Sequence, residues 1–357
     1  MSDYFLERRN RLRKKLQVKG LDAVLIRYAA NRYYLSGFEL HDVQSNESSG
    51  CLLIAADGTD WLATDVRYRD AAQKIWPSEH ILIYHRDQAQ SLCDLMRKCG
   101  TKIGIETETM SLKFYKELLK HKRGFYFQKV DGLVEELRIV KDGAEMAAIE
   151  KSFALNHKML SWLEEELVVG RSETEMSWMI ERFFRENGAE ELAFPSIVAV
   201  NQQAAMPHAI PGSQKISPEC LVLVDVGCRV DGYCSDQTRT FWVGKNSSLR
   251  FTETLALVRE AQRQAMNCMR AGVCCAVPYI AARKVFEEAK VADYFTHGLG
   301  HGVGLETHEK PSLSPHADDI LEEGMVVTVE PGLYYPEWGG VRWEHTVVIE
   351  KEGVRVL

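Results

Sequence analysis

Four acidic residues in the C-terminal half of the chain stand in or beside strongly apolar strands, and no other feature restricts the fold as much. Asp225 ends the run LVLVD, and Glu330 ends MVVTVE just before a Pro-Gly turn. Asp236 lies in YCSDQTRTFWVG, and Glu344 lies within VRWEHTVVIE, whose apolar residues predict the interior of a sheet. A buried carboxylate is costly unless it is paired or bound to a metal ion. The fold must therefore bring positive charge to these four positions.

The spacing of Asp225 and Asp236 predicts that their carboxylates meet. A turn at residues 230–232 separates the two strands, and an antiparallel hairpin of this length brings both acids to the same region. Each acid alone also fits an ordinary turn or cap. The two together, both in apolar strands, favour a shared functional site.

No comparable group of Lys or Arg accompanies the four acids, so the sequence predicts metal cations as their partners. Two divalent ions would balance four carboxylates and one neutral imidazole. Oxygen ligands with a single nitrogen suit Mn²⁺, Co²⁺, Fe²⁺ or Zn²⁺ better than a thiolate-type structural zinc site does. Two such ions about 3.5–4 Å apart clamp and deprotonate a bridging water. The sequence therefore predicts a hydrolase.

The stretch HGLGHGVGLETHE, residues 297–309, holds three histidines among four glycines. Each of its glycines would cost a helix roughly 1 kcal/mol relative to alanine, which argues against a zinc-binding histidine pair on a helix face. The glycines also fail the GxGxxG spacing, and no strand-turn-helix frame surrounds them. We predict an extended segment in which His297 and His301 share one face, with glycine allowing substrate or metal to approach the backbone.

Composition and charge restrict the class of protein. The 357 residues are 45% hydrophobic and 27% charged, with a formal charge of −7, which argues against binding to nucleic acid or to an anionic membrane. No apolar run is long enough to span a bilayer, and the first 20 residues predict an amphipathic helix with a solvated basic face instead of a signal peptide. The nine cysteines form no CxxC pair, so we expect reduced thiols and a cytoplasmic protein.

Two domains are predicted, and the fold class is α/β (α+β). Residues 1–132 alternate short strands with helices of about ten residues, which is typical of a layered α/β domain. Residues 137–357 begin with two long helical segments and then become rich in strands. No Gly/Ser-rich or Pro-rich linker separates the two parts.

Together these residues closely resemble metallopeptidase family M24, whose catalytic domain has the pita-bread fold, and within it the Xaa-Pro aminopeptidase and prolidase branch. The resemblance covers about residues 137–357 through five ordered elements: Asp225, Asp236, His301 in HGLGHGVG, Glu330 in TVEPG and Glu344 in GGVRWEH. Residues 1–132 resemble the smaller creatinase-type N-terminal domain of the same branch more weakly, through NRYYLSGF and the strand-helix alternation.

The resemblance implies a role for each matched metal ligand. Asp236 and Glu344 would bridge two divalent ions, Asp225 would hold one of them, and His301 and Glu330 would hold the other. Mn²⁺ or Co²⁺ is expected first, with Zn²⁺ and Fe²⁺ as alternatives. No separate organic cofactor is implied.

The resemblance also implies catalytic residues around the metals. His208 in AAMPHAIPG matches a histidine that donates a proton or binds the reacting amide, and His308 matches one near the scissile carbonyl. His297 would line the pocket, Glu330 would relay a proton, and Arg342 would support Glu344 or the substrate.

The implied activity is an exopeptidase that hydrolyses the Xaa-Pro bond at the N-terminus of peptides through a metal-bridging hydroxide. Its partner would be a small peptide with proline in second position, and the family often forms homodimers. The alternatives are a creatinase-like amidinohydrolase and a non-catalytic binding module of the same fold. One departure is visible, because His345 follows Glu344 where the family usually has an acid. We expect His345 to point to the opposite face of the strand.

Overall fold

The computed structural model describes residues 3–42, 44 and 47–357. Contacts divide the chain into two compact units, Met1–Arg138 and Ile139–Leu357. The N-terminal unit contains, in chain order, α1 (Asp3–Lys19), β1 (Ala23–Ile26), α2 (Ala29–Ser36), β2 (Cys51–Ala55), β3 (Asp60–Asp65), α3 (Arg69–Ile75), β4 (Ile81–Tyr84), α4 (Gln88–Cys99), β5 (Lys102–Ile105), α5 (Leu112–His121), β6 (Tyr126–Lys129) and α6 (Glu135–Arg138).

The N-terminal unit is built on one six-stranded sheet with the order β4-β3-β2-β1-β5-β6. β2 and β3 form a hairpin and pair antiparallel, with Cys51 opposite Ala63. β2 is also antiparallel to β1, whereas β1 is parallel to β5, β5 to β6 and β3 to β4. Five strands therefore run in one direction, and their carboxyl ends share one edge of the sheet.

The first helix differs from its prediction in one respect. Leu12 and Leu16 are fully buried as expected, but Arg8 and Arg9 are buried as well. Their guanidinium groups donate to the carbonyl oxygens of Tyr34 and Leu35 at the end of α2, at 3.1 and 2.7 Å. Part of the basic face that we predicted to be solvated therefore caps a helix, since cations are favourable at helix C-termini.

The C-terminal unit begins with two helices and then alternates strands with a second helical pair. Its elements are α7 (Gly143–Glu166), α8 (Glu173–Glu186), β7 (Glu191–Leu192), β8 (Ile197–Val200), β9 (Cys220–Val226), β10 (Cys228–Val230), β11 (Tyr233–Cys234), β12 (Gln237–Val243), α9 (Leu249–Cys268), α10 (Ala276–Glu288), β13 (Gly300–Gly302), β14 (Glu309–Leu313), β15 (Val326–Val329), β16 (Gly332–Tyr335), β17 (Gly339–Arg342), β18 (His345–Ile349) and β19 (Val354–Val356).

The strands of the C-terminal unit form a sheet β12-β9-β8 and a five-stranded sheet β14-β13-β15-β18-β19, with smaller sheets β11-β10-β7 and β16-β17. The continuous apolar run of β9 is explained by burial on both faces. Leu221 and Leu223 pack in the core beside α9 and α10, and Val222 and Val224 pack in the core beside α7 and α8. Successive side chains of a strand point to opposite faces, so two layers of helices need apolar residues at every position.

No helix among the described residues is long and apolar enough to cross a membrane. All nine cysteines are free thiols.

Candidate metal centre and active site

Strand pairing brings Asp225 and Asp236 together. β12 runs antiparallel to β9, with Thr238 opposite Asp225 and Gln237 opposite Val226. Asp236 precedes β12 directly, in a two-residue break after β11, so the prediction that it lies within a strand is wrong. The break still places the acid at the end of the hairpin, and one carboxylate oxygen each of Asp225, Asp236 and Glu344 lies within 4.8 Å of the others.

Glu344 also differs from its prediction. It lies between β17 and β18 and not in the interior of a strand. At this break the chain passes from the two-stranded sheet to the five-stranded sheet, and the backbone N–H of Glu344 donates to the carbonyl of Thr238 at 3.2 Å. The prediction of burial is confirmed, because Glu344 is 1% exposed.

Glu330 follows β15 directly, and His301 is the middle residue of the neighbouring β13. The His301 Nε2 atom lies 3.2 Å from Glu330 Oε1 and 3.6 Å from Asp236 Oδ2. The Nδ1 atom of His301 lies 3.1 Å from the carbonyl oxygen of Gly302. This contact suits an N–H at Nδ1, so Nε2 is the ring nitrogen that faces the acids.

Burial and neighbouring charges shift the pKa values of Glu344 and Asp236. Burial, together with the charges of Glu330 and Asp225, raises the pKa of Glu344 to about 8. Burial and the charges of Glu344 and Asp225 raise the pKa of Asp236 as well. The protein itself therefore supplies too little positive charge for these two acids.

Glu330 and His301 behave as a pair. Burial is the largest single influence and opposes ionisation of both groups, but the hydrogen bond between them and the neighbouring charges together outweigh it. The pKa of Glu330 falls to about 2 and that of His301 rises to about 9. The positive charge beside Glu330 is therefore that of the His301 ring.

The donor set fits two divalent cations. Asp225 Oδ1 and Glu344 Oε1 are buried and accept no hydrogen bond from the described residues, although unpaired buried carboxylate oxygens are rare. Four carboxylates and one imidazole nitrogen converge here, which suits Mn²⁺, Co²⁺, Fe²⁺ or Zn²⁺. Such cations would bind the free oxygens and relieve the repulsion among the acids.

Arg342 contacts Asp225 and reaches Glu344 indirectly. Its Nη2 atom donates to Asp225 Oδ2 at 2.7 Å. Its Nε atom donates to Thr238 Oγ1 at 2.9 Å, and the Thr238 hydroxyl donates to Glu344 Oε2 at 2.9 Å. The support of Glu344 that the resemblance implied therefore passes through Thr238.

Tyr334 joins Arg342 to His297, and sequence reasoning missed it. The Tyr334 oxygen accepts from Arg342 Nη1 at 2.8 Å and lies 2.9 Å from His297 Nε2. His297 Nδ1 lies 2.7 Å from the carbonyl oxygen of Gly298. Both nitrogens of His297 therefore have partners within the protein, and burial lowers its pKa.

A cavity of about 510 Å³ lies beside these residues. The remaining predicted histidines, His208 and His308, line it. The His308 ring lies against that of His301, with centroids 4.0 Å apart and planes tilted by 41°. Burial, followed by the charge of His301, lowers the pKa of His308. His208 is exposed at the cavity wall. The metal ligands Asp225, Asp236, His301 and Glu330 line this cavity too, together with His297 and Arg342. One wall is apolar and is formed by Phe194, Ile197, Pro207 and Pro211.

His345 does not line this cavity. Its Nδ1 atom lies 2.9 Å from Gln262 Oε1 of α9, and burial lowers its pKa to about 4. The expectation that it points away from Glu344 agrees with this contact.

Two glycines of the HGLGHGVG segment serve strand packing. A Cβ atom on Gly300 would lie 2.0 Å from the carbonyl oxygen of Thr328, and one on Gly302 would lie 2.2 Å from that of Lys310. These glycines let neighbouring strands approach His301, whereas we predicted that they admit substrate or metal. The predicted extended conformation is confirmed over β13.

Sequence comparison finds two family models in the chain. Metallopeptidase family M24 matches residues 147–351, and the Creatinase/Prolidase N-terminal domain matches residues 8–140. The chain is 32% identical over 351 residues to the Xaa-Pro dipeptidase of Pyrococcus furiosus, covering 98% of this chain and 97% of that protein.

Two solved structures are similar over nearly the whole chain. An Xaa-Pro dipeptidase from Bacillus anthracis has a TM-score of 0.92 at 31% identity, covering 99% of this chain and 97% of that one. An X-Pro aminopeptidase from Thermotoga maritima has a TM-score of 0.85 at 29% identity, covering 96% and 97%. These likenesses confirm the fold class predicted from the sequence.

Proposed function

The chain belongs to metallopeptidase family M24, and from this premise we propose that it is an exopeptidase that hydrolyses the Xaa-Pro bond at the N-terminus of peptides. One observation carries the proposal. Four carboxylates and His301, drawn from distant parts of the sequence, converge beside one cavity, and in the described part of the chain two of the buried carboxylate oxygens have no hydrogen-bond partner. Residues 137–357 would carry the catalysis, and residues 1–132 would form the accessory domain.

We propose that two divalent ions are held by these residues, with Mn²⁺ or Co²⁺ as the native metal. Asp236 and Glu344 would bridge the ions, Asp225 would complete one site, and His301 with Glu330 would complete the other. Ions bound there would polarise the substrate carbonyl and acidify a water molecule at neutral pH. This set also argues against the two alternatives, a metal-free amidinohydrolase and a non-catalytic module, since neither needs the full set of ligands.

The protein groups around the ligands then handle substrate and protons. The apolar wall that includes Phe194 and Pro211 would pack against the proline ring. Hydrolysis adds water across the amide, so the proton that leaves the water must reach the proline nitrogen as the C–N bond breaks. Glu330 would accept that proton, and His208 or His308 would deliver one to the nitrogen.

His297 would have a positioning role in this scheme. Its two nitrogens contact Gly298 and Tyr334, so its ring is held in one orientation at the cavity wall. Arg342 would keep Asp225 and, through Thr238, Glu344 in place.

We further propose a cytoplasmic homodimer. The nine free cysteines, several of them buried, suit a reducing compartment. The homodimer rests on the resemblance alone, and light scattering at micromolar concentration tests it.

The decisive experiment compares three substrate classes on chelator-treated protein with and without Mn²⁺ or Co²⁺. We expect cleavage of Xaa-Pro dipeptides or Xaa-Pro-Yaa peptides only after metal is restored, and little cleavage of Met-Ala peptides. The ratio of dipeptide to longer-peptide turnover then separates a dipeptidase from an aminopeptidase. Full activity in a metal-free sample, confirmed by elemental analysis, would overturn the proposal.

A further inference from the structure

The N-terminal unit contains a second cavity, of about 690 Å³, at the carboxyl ends of its co-directional strands. Arg27 directly follows β1, Tyr84 is the last residue of β4, and Arg86 comes two residues later. In open α/β sheets, the crevice outside the carboxyl ends of the strands is the usual place for a ligand. Nothing in the proposed peptidase reaction uses this cavity.

The carboxylates that line this cavity are already paired. Asp42 accepts from Arg32 Nη2 at 3.0 Å and from the backbone N–H of Ser49 at 2.8 Å. Asp65 accepts from Arg67 Nη2 at 2.8 Å, and Glu47 lies 3.5 Å from the same guanidinium. Asp42 is therefore paired with Arg32, whereas Asp65 and Glu47 share the single guanidinium of Arg67.

Arg27 brings a buried cation to this cavity, and the carboxylate of Asp42 attracts it without a direct ion pair among the described residues. Among the residues that the structure describes, its guanidinium makes no ion pair or hydrogen bond, and its Nε atom is buried. The guanidinium carbon lies 3.8 Å from the ring centroid of Phe114, so the guanidinium packs against this aromatic ring. Burial lowers the pKa of Arg27, as expected for a charge that lacks a partner. Arg86, exposed at the same cavity, adds a second unpaired cation.

Tyr84 supplies an independent observation. It is 6% exposed and lines the cavity. Its hydroxyl is buried and has no hydrogen-bond partner in the described part of the chain. Buried hydroxyl groups normally have a partner, because leaving one unpaired costs about 1–3 kcal/mol. An unpaired hydroxyl beside an unpaired guanidinium therefore points to a missing acceptor.

We propose that this cavity binds a small organic oxyanion, a carboxylate or a phosphate ester, through the Arg27 guanidinium and the Tyr84 hydroxyl. The edge of a guanidinium presents paired N–H donors that match both carboxylate and phosphate oxygens. Phe114 packs against the Arg27 guanidinium, and the exposed Arg86 adds positive charge that would attract an anion to the cavity. The volume suits a small molecule.

The test uses full-length protein loaded with Mn²⁺ and desalted, titrated calorimetrically with inorganic phosphate and separately with succinate at constant ionic strength. We expect at least one anion to bind with a dissociation constant below about 10 mM. Phosphate alone would identify a phosphate ester as the ligand class, succinate alone a carboxylate, and both a general oxyanion site.

Three variants locate the binding. Tyr84→Phe should weaken binding about 10-fold, since a hydrogen bond to a charged group is lost, and its melting temperature should not fall because the hydroxyl has no partner in the free protein. Arg27→Gln should weaken binding further. Arg182→Gln, which removes an exposed arginine of α8, should bind as the wild type does.

Two results would overturn the proposal. One is the absence of binding by either anion to the wild type. The other is equal binding by the wild type and Tyr84→Phe, which would place the anion elsewhere, for example at the metal centre. Because Tyr84→Phe removes no internal contact, it decides the question even if Arg27→Gln fails to fold.

Discussion

Each unit of the protein buries a glutamate with a raised pKa, and the two glutamates, Glu106 and Glu344, differ in how their oxygens are satisfied. In the N-terminal unit, Glu106 is 5% exposed, and both of its oxygens accept hydrogen bonds. Oε2 accepts from the backbone N–H groups of Arg27 and Tyr28 at 2.7 and 2.8 Å, and Oε1 accepts from the Asn31 amide at 2.7 Å. In the C-terminal unit, Asp225 and Glu344 each keep one buried oxygen without a partner.

The comparison shows that a shifted pKa alone does not identify a functional acid. The pKa of Glu106 and that of Glu344 are both raised to about 8, and burial is the largest cause in both. The second cause differs. For Glu106 it is the hydrogen bond from Asn31, which opposes the shift, whereas for Glu344 it is the charge of Glu330, which adds to it. The unpaired oxygen of Glu344, and not the shift, distinguishes it from Glu106 among the described residues.

The largest expected effect comes from removing one like charge from the metal centre. Asp236→Asn should lower kcat/KM on an Xaa-Pro substrate on the order of 1,000-fold, because the group proposed to bridge both ions is weakened. In chelator the same variant should melt at a higher temperature than the wild type, since the acids repel one another less. Activity assays and calorimetry with and without Mn²⁺ measure both effects.

The control for Asp236→Asn is Glu181→Gln, which removes an exposed acid on α8 and should change neither quantity. If Asp236→Asn melted below the wild type in chelator, the four acids would already be balanced within the protein. The comparison with Glu106 would then fail.

The second prediction concerns Glu106, whose two carboxylate oxygens both accept hydrogen bonds. Glu106 has a raised pKa in the folded protein, so its contribution to stability is present below the unfolded pKa near 4.5 and is lost as pH rises through about 8. Glu106→Gln has no such titration. Between pH 5.5 and 8.5 the free energy of unfolding of the wild type should therefore fall relative to the variant, by up to about 3 kcal/mol.

Denaturant unfolding of both proteins at the two pH values, with kcat measured in parallel, checks this prediction. Activity per folded molecule should stay the same, because Glu106 has no part in the proposed chemistry. Glu117→Gln, at an exposed acid paired with Lys120, should show no such difference. A wild type that gained stability over Glu106→Gln as pH rose would show that the three N–H donors outweigh burial.

Much of the metal centre could be predicted from the sequence, because charged residues are rarely buried and most of its proposed ligands are acids in apolar segments. Acids such as Asp225 and Glu330 stand out in apolar strands, and the order of the five elements is specific to one family. The elements of the N-terminal unit were predicted for a similar reason, since alternating strands and helices have clear periods.

The supporting residues could not be predicted in this way. Tyr334 lies in GLYY, which reads as an ordinary buried strand, and Thr238 lies in QTRTFWV, where threonine is common. Only the register of β12 and the break after β17 place these hydroxyls beside Arg342 and Glu344. The same holds for Arg8 and Arg9, whose burial depends on where α2 ends. Long-range contacts of this kind have no local sequence pattern.

The third prediction concerns Tyr334, whose hydroxyl contacts both Arg342 and His297. Tyr334→Phe should lower kcat about 10- to 100-fold, the range for a group that orients active-site residues from behind. The variant frees His297 Nε2 and removes one acceptor from Arg342. Metal content and KM should stay near the wild-type values, and kcat and KM measured separately on an Xaa-Pro substrate check the split. An equal loss in Leu333→Val, which only trims the core beside Tyr334, would mean that packing and not the hydroxyl is responsible.

The smallest expected effect concerns Thr238, which satisfies one oxygen of Glu344 as Asn31 satisfies one of Glu106. Thr238→Val keeps the shape but removes the hydroxyl, so Glu344 loses its only hydrogen-bond donor from a side chain among the described residues. We expect metal affinity to fall about 10-fold, measured by competition with a chromophoric chelator. Thr238→Ser restores the hydroxyl and should restore the affinity. If both variants bound metal like the wild type, the bridging acid would need no orientation from the protein, and the free oxygens alone would account for the site.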